Sequence, residues 1–275
     1  MPGYMSITLS DLRTCVLDMD GVIWTMDDPV PGAAEAIARL RALGLSVSYL
    51  TNNSSKTRMD YVRKLARFGI PAAEGDVMTS AYATALLLAK EGACGARAYV
   101  IGEQGLRDEL SAAGVEVVSG ADEPEVSLVV VGWDRQFTYD KLAAAHGYIV
   151  RRGARFIATN RDATYPDAGG RTLPGGGSIV AAVATCAGVE PKTIGKPEPH
   201  ALLLLLEQEG LRLDQCLVIG DRLDTDIALG RRWGAPAAMV LTGISTLEEV
   251  EETPADLRPD LVAADLPALV AMLEV

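Results

Sequence analysis

Short unbroken apolar runs alternate along this chain with longer stretches in which apolar residues recur at helical spacing. The run Thr14-Cys15-Val16-Leu17 ends in Asp18, and continuous apolar runs of this length suit strands buried on both faces. A first strand therefore delivers Asp18 at its carboxyl end. Over 32–43 the apolar positions Ala33, Ile37 and Leu40 share a helical face, with Pro31 near the start and Gly44 as a stop. Residues 45–50 predict a second strand ending at Thr51-Asn52-Asn53, followed by helices over 59–68, closed by Gly69, and 81–90. The middle of the chain repeats the alternation, with strands at 98–101, 127–131 and 155–158 and helices after Gly105 and from Tyr139. These elements are compatible with an extension of the first sheet. Beyond Pro197 a very apolar helix over 202–206 precedes strands at 216–219 and 237–241. Strand and helix in alternation predict an α/β fold, a parallel sheet with helices on its faces.

Composition narrows the function. With 275 residues, 49% hydrophobic and 23% charged, the chain suits one large globular domain or a core carrying a smaller second one. A formal net charge of −12 argues against the broad basic face that nucleic acid requires. A small anionic ligand stays open, because a metal and a few local cations invert the field within a pocket. No stretch approaches the ~20 apolar residues that span a bilayer, and 1–12 hold no basic region followed by an apolar one. A cytoplasmic protein with no membrane partner is expected. Cys15, Cys94, Cys186 and Cys216 are scattered without a CxxC pair and read as small buried hydrophobes. His146 and His200 are too far apart to propose a metal cluster.

The candidate chemistry sits at the predicted strand ends. Asp18-Met19-Asp20-Gly21-Val22 sets two carboxylates one residue apart directly after the first strand, where open parallel sheets collect ligands. Thr51-Asn52-Asn53 ends the second strand with a hydroxyl, amides and backbone N–H groups suited to phosphate. Gly195-Lys196-Pro197 places one lysine ahead of a helix. Gly220-Asp221-Arg222-Leu223-Asp224-Thr225-Asp226 again follows a strand and crowds three carboxylates together. Such crowding is costly without a cation, and hard oxygen ligands select magnesium, Mg2+.

In this order and at these places, the four elements resemble the four motifs of the haloacid dehalogenase (HAD) superfamily. The chain is similar over nearly its whole length to the subfamily of 4-nitrophenylphosphatase, phosphoglycolate or glycerol-phosphate phosphatase and pyridoxal-phosphate phosphatase type proteins. Val100-Ile101-Gly102-Glu103, Ala158-Thr159-Asn160-Arg161-Asp162, Pro174-Gly175-Gly176-Gly177-Ser178 and Gly195-Lys196-Pro197-Glu198-Pro199 also look like that subfamily's sequence. The resemblance implies a Rossmann-like parallel-sheet core, 1–92 and 191–275, with an inserted smaller α/β cap at 93–190. The long interval between Asn53 and Lys196 has room for it. The Gly175-Gly176-Gly177 run reads as a bend within the cap.

The resemblance further implies an Mg2+-dependent phosphatase of small phosphorylated metabolites. In that scheme Asp18 is the nucleophile that becomes an aspartyl phosphate, and Asp20 is the acid/base. Asp18, the Asp20 carbonyl and Asp221 hold the metal, while Thr51, Asn52 and Asn53 cradle the phosphoryl group. Lys196 offsets its charge, and Asp226 and Asp224 orient water, lysine or metal. Arg222 has either a supporting salt bridge or a solvated role. A dehalogenase does not need the second aspartate, and a non-catalytic Rossmann-like nucleotide-binding module would carry GxGxxG after the first strand. Neither fits as well. Related proteins commonly pair through their caps, which implies a homodimer. Cap loops contact the leaving group in the resembled enzymes, so Tyr165, expected in a loop after 155–158, either touches substrate or packs between cap and core.

Overall fold

The computed structural model describes residues 11–167 and 171–274. It contains two compact α/β units, one formed by Met1–Thr51, Val62–Met78 and Lys196–Val275, the other by Asn52–Tyr61 and Thr79–Gly195.

The first unit is built on a six-stranded sheet with the spatial order Leu261–Ala263, Ala237–Val240, Cys216–Gly220, Thr14–Leu17, Ser46–Thr51, Val77–Thr79. Thr14–Leu17 is buried along its whole length and pairs in parallel with Cys216–Gly220 on one side and Ser46–Thr51 on the other. Its apolar run is therefore the centre of a covered sheet, as continuous burial requires. Helix Ala33–Ala42 buries Ala33, Ala36, Ile37 and Leu40, the face its spacing predicts. The chain leaves the central strand to one side and returns through Cys216–Gly220 on the other. That reversal opens a crevice at the carboxyl ends of both strands.

The middle strands do not extend this sheet. They form a second, five-stranded parallel one, in the order Lys192–Thr193, Arg155–Ala158, Val126–Val131, Arg97–Ile101, Glu116–Val118. Its core joins Tyr99, Val129, Val131 and Phe156 from the strands to Tyr148, Val180 and Val183. The glycine run is not a simple bend: Gly175 precedes helix Gly176–Ala187 and the other two glycines form its first turn. A Cβ at Gly177 would lie 2.2 Å from the Arg161 carbonyl oxygen, so the helix start fits against that backbone only with glycine. Tyr165 also departs from expectation, since it lies on strand Thr164–Asp167, antiparallel to Arg171–Pro174 with Leu173 as its partner. Cys15 and Cys216 are buried as expected, but Cys94 and Cys186 are exposed. The architecture is an α/β, Rossmann-like core with an inserted cap. Among the described residues no helix is long and apolar enough to cross a membrane.

Candidate active site

Asp18, Thr51 and Asp221 stand at the carboxyl ends of adjacent strands of the first sheet: Asp18 and Asp221 directly follow Leu17 and Gly220, and Thr51 is the last strand residue. The Asp18 N–H continues the ladder by donating to the Ile219 carbonyl at 2.8 Å. Its side chain is nearly buried and accepts from Lys196 Nζ at 2.8 Å. The same ammonium donates to Asp226 Oδ1 at 2.5 Å and to the Leu50 carbonyl at 3.1 Å. Burial alone would lower the Lys196 ammonium, but Asp18 and Asp226 outweigh it and hold the lysine above its ordinary value.

Asp226 lies in the wide, π-helical turn Leu223–Ile227, where its second oxygen accepts from the Arg222 N–H and the Thr225 hydroxyl, both at 3.3 Å. Asp221 is 2% exposed and accepts through Oδ2 from the Ile244 N–H at 2.7 Å. A Cβ at Gly243 would lie 1.9 Å from that oxygen, so glycine there is what lets the loop close on the carboxylate. The other oxygen, Oδ1, is buried with no hydrogen-bond partner among the described residues. An orphaned buried carboxylate oxygen is costly. Ligand oxygens of Asp18, Asp221 and Asp226 lie within 4.8 Å of one another. Burial pushes the Asp18 carboxyl well above the usual carboxylate range; Lys196 draws it back, and Asp226, Asp221 and Asp20 add to the rise. Asp221 is pushed up to about 7, chiefly by burial and then by Asp226. Hard oxygens, excess negative charge and an orphaned acceptor fit a divalent cation.

The other candidates divide. Asp20 is half-buried and its Oδ1 accepts from the Trp24 indole at 2.9 Å. Asp224 is turned to solvent in a paired contact with Arg222 at 3.0 and 2.9 Å, which also places Arg222. In the second unit, the Asn52 side-chain amide donates to Asp162 at 2.8 Å, while the Asn52 main-chain carbonyl accepts from Asn160 Nδ2 and Ser80 Oγ. Asn53 Oδ1 accepts from the Ser55 N–H and hydroxyl, closing a local turn. Tyr165 packs on Trp133, ring centroids 4.5 Å apart. Sequence reasoning missed Trp24, Trp133 and Asp162 as neighbours of candidate residues. Only Trp24, four positions after Asp20, offered a local signal.

Residues 15–116 match the family described as haloacid dehalogenase-like hydrolase, and 193–269 match one described as HAD-hydrolase-like. The chain is 40% identical to human glycerol-3-phosphate phosphatase, over 88% of this chain and 83% of that protein. It is 38% identical to a Staphylococcus aureus acid sugar phosphatase, over 97% and 100%. Among solved structures, p-nitrophenyl phosphatase from Archaeoglobus fulgidus superposes with a TM-score of 0.87 at 33% identity, covering 96% of this chain and all of that one. Glycerol phosphate phosphatase from Mycobacterium tuberculosis, in complex with magnesium, superposes with a TM-score of 0.86 at 34% identity, over 95% and 77%. The same protein is also known in complex with calcium. Strand-end aspartates, a buried lysine and likeness along nearly the whole chain agree: this chain belongs to the haloacid dehalogenase-like hydrolases and is a phosphatase of the 4-nitrophenylphosphatase type, a phosphoric monoester hydrolase that uses a divalent metal.

Proposed function

We propose that the enzyme is magnesium-dependent and hydrolyses small phosphorylated metabolites through an aspartyl phosphate on Asp18. The observation that carries this reading is the cluster of Asp18, Asp221 and Asp226 carboxylates, two of them paired with the Lys196 ammonium, with an Asp221 oxygen that no donor reaches among the described residues. Magnesium, held by Asp18, Asp221 and the Asp20 carbonyl, would supply positive charge beside the nucleophile and the phosphoryl oxygens. Asp226 keeps Lys196 in place and completes the carboxylate set.

An Asp18 oxygen attacks phosphorus as the ester P–O bond breaks, and protonated Asp20 gives its proton to the departing oxygen. Lys196 offsets the charge of Asp18 and of the phosphoryl group. Ionised Asp20 then takes a proton from the water that attacks the aspartyl phosphate, releasing phosphate and restoring both carboxyls. Thr51 and the 52–53 turn cradle the phosphoryl group. The Asn52 side chain is already committed to Asp162, so its part is to hold the turn. Asp224 is a peripheral orienter through Arg222.

The separate second sheet supports a specificity cap at about 93–190 on a catalytic core of 1–92 with 191–275, although its edge strand Lys192–Thr193 runs past that bound and the second compact unit takes in Asn52–Tyr61 and Thr79–Gly195. The relatives named for glycerol 3-phosphate and acid sugars favour a small hydroxylated phosphate monoester. A homodimer formed through the cap, and action in the cytoplasm, complete the proposal; light scattering of the chain with and without 93–190 surface changes, and cell fractionation, test them. Asp18→Asn tests the chemistry. It should lower phosphate release from glycerol 3-phosphate, sugar phosphates and 4-nitrophenyl phosphate to below about a thousandth of wild type. A variant retaining more would remove Asp18 as nucleophile.

A further inference from the structure

Trp24 is fully buried, yet its indole N–H is directed at a carboxylate of the reacting site: Nε1 donates to Asp20 Oδ1 at 2.9 Å. The backbone builds this contact. The Met19 carbonyl accepts from the N–H groups of Ile23 and Trp24 at 2.9 and 3.3 Å, and the Gly21 N–H donates to the Trp24 carbonyl at 2.7 Å. Gly21 takes a φ of 82°, which permits the reversal. The chain thus turns back so that residue 24 meets residue 20. Packing fixes the ring: Phe68 lies 5.8 Å away between centroids, and Lys64 Nζ stands over the indole face, 4.4 Å from the centroid. That ammonium donates to the Met26 carbonyl and lies 3.7 Å from Asp27. All of these residues belong to the first unit.

A core tryptophan needs an acceptor for its N–H, and packing alone would be served by any buried carbonyl. Here the acceptor is a carboxyl oxygen, and the bond becomes charge-assisted, the stronger kind, once Asp20 has given up its proton. A cation over the π face draws electron density from the ring, which polarises the N–H toward Asp20. A carboxyl that must face first a leaving oxygen and then a water gains from having its rotation fixed.

We propose that Trp24, backed by Lys64, is a positioning residue for proton transfer: it holds Asp20 through Oδ1, so that Oδ2 is the oxygen that gives the proton to the leaving group and takes one from water. The proposal rests on the reading of Asp20 as acid/base. Its consequence is selective. An alkoxide leaves only when protonated, whereas 4-nitrophenolate leaves with little help, so misaligning Asp20 should penalise alkyl phosphates. The value of kcat/KM reports the steps through transfer to Asp18, where the leaving group departs.

Trp24→Phe keeps an aromatic ring in the core and deletes the donor. Its kcat/KM should fall about tenfold or more for glycerol 3-phosphate and no more than about threefold for 4-nitrophenyl phosphate, with intermediate aryl phosphates between them. Lys64→Met, which leaves the tryptophan in place, should shift the series in the same direction by a smaller factor and carries the test should Trp24→Phe fail to fold. Equal losses at every leaving group, or no loss, would overturn the proposal. Asp20→Asn measured on the same series separates the two readings. A loss that grows with leaving-group basicity for Asp20→Asn but not for Trp24→Phe defeats the positioning role alone. Equal losses for Asp20→Asn defeat the acid assignment beneath it.

Discussion

The Lys196 ammonium donates to the Asp18 and Asp226 carboxylates and to the Leu50 carbonyl, and the lysine is 3% exposed. A buried cation of this kind is retained because its partners are buried as well; removing either side leaves an uncompensated charge. Asp226 is thereby tied to the lysine through one oxygen, while Asp221 carries an oxygen that no donor reaches among the described residues. Of the clustered carboxylates, Asp221 should therefore depend most on the cation. Asp221→Ala should raise the magnesium concentration for half-maximal activity at least about tenfold, and excess magnesium should restore the rate only in part. An unchanged magnesium dependence would move the metal site to Asp226 and Asp18.

At the scale of elements, the hairpin Thr164–Asp167 with Arg171–Pro174 makes Tyr165 a packed residue whose ring meets Trp133, itself donating through Nε1 to the Pro174 carbonyl. If the pair also reads the leaving group, Tyr165→Ala should lower kcat/KM for the preferred metabolite by about 1–3 kcal/mol while sparing small aryl phosphates. Equal losses on all substrates, with a lowered melting temperature, would leave Tyr165 the packing role alone. The central strands were legible because an apolar run such as Thr14–Leu17 has one favourable place, a covered sheet, and the chemistry follows it at the strand end. The hairpin was not. In the sequence Pro166 and Pro174 argue against strands, and Arg171–Pro174, exposed throughout, shows no alternation to mark one. Helix Gly176–Ala187 was hidden by its glycine start, whose reason is the distant Arg161 backbone. Asp224 and Asp226 looked equivalent in sequence. Residues two apart in a helical turn do not face the same way, and only Asp226 turns inward to Lys196 while Asp224 meets Arg222 outside. The ring partner of Tyr165 lies across the fold, beyond any local pattern.

For the molecule as a whole, crowding these carboxylates ties stability to pH and metal. Without a cation, Asp221 is pushed up to about 7 from an ordinary 3.8. The folded form then keeps a proton that the unfolded chain has released, so this contribution to stability is present below the ordinary value and lost as pH rises toward about 7. Asp18, raised in the same direction, adds to the loss. Magnesium binds the ionised carboxylates and reverses it. The gain in melting temperature on adding magnesium should grow between about pH 5 and about pH 7.5, and shrink in Asp221→Asn. A gain independent of pH would place the cation elsewhere.

The most direct test of the central claim is to trap the covalent intermediate. Asp20→Asn retains the nucleophile but lacks the base for water, so it should accumulate phosphoenzyme with 4-nitrophenyl phosphate, whose leaving group needs little acid. Acid quenching during turnover with magnesium, followed by peptide mass spectrometry, should find the phosphoryl group on Asp18. Phosphate attached to another residue, or continued turnover with no phosphorylated Asp18 peptide at any quench time, would contradict the mechanism.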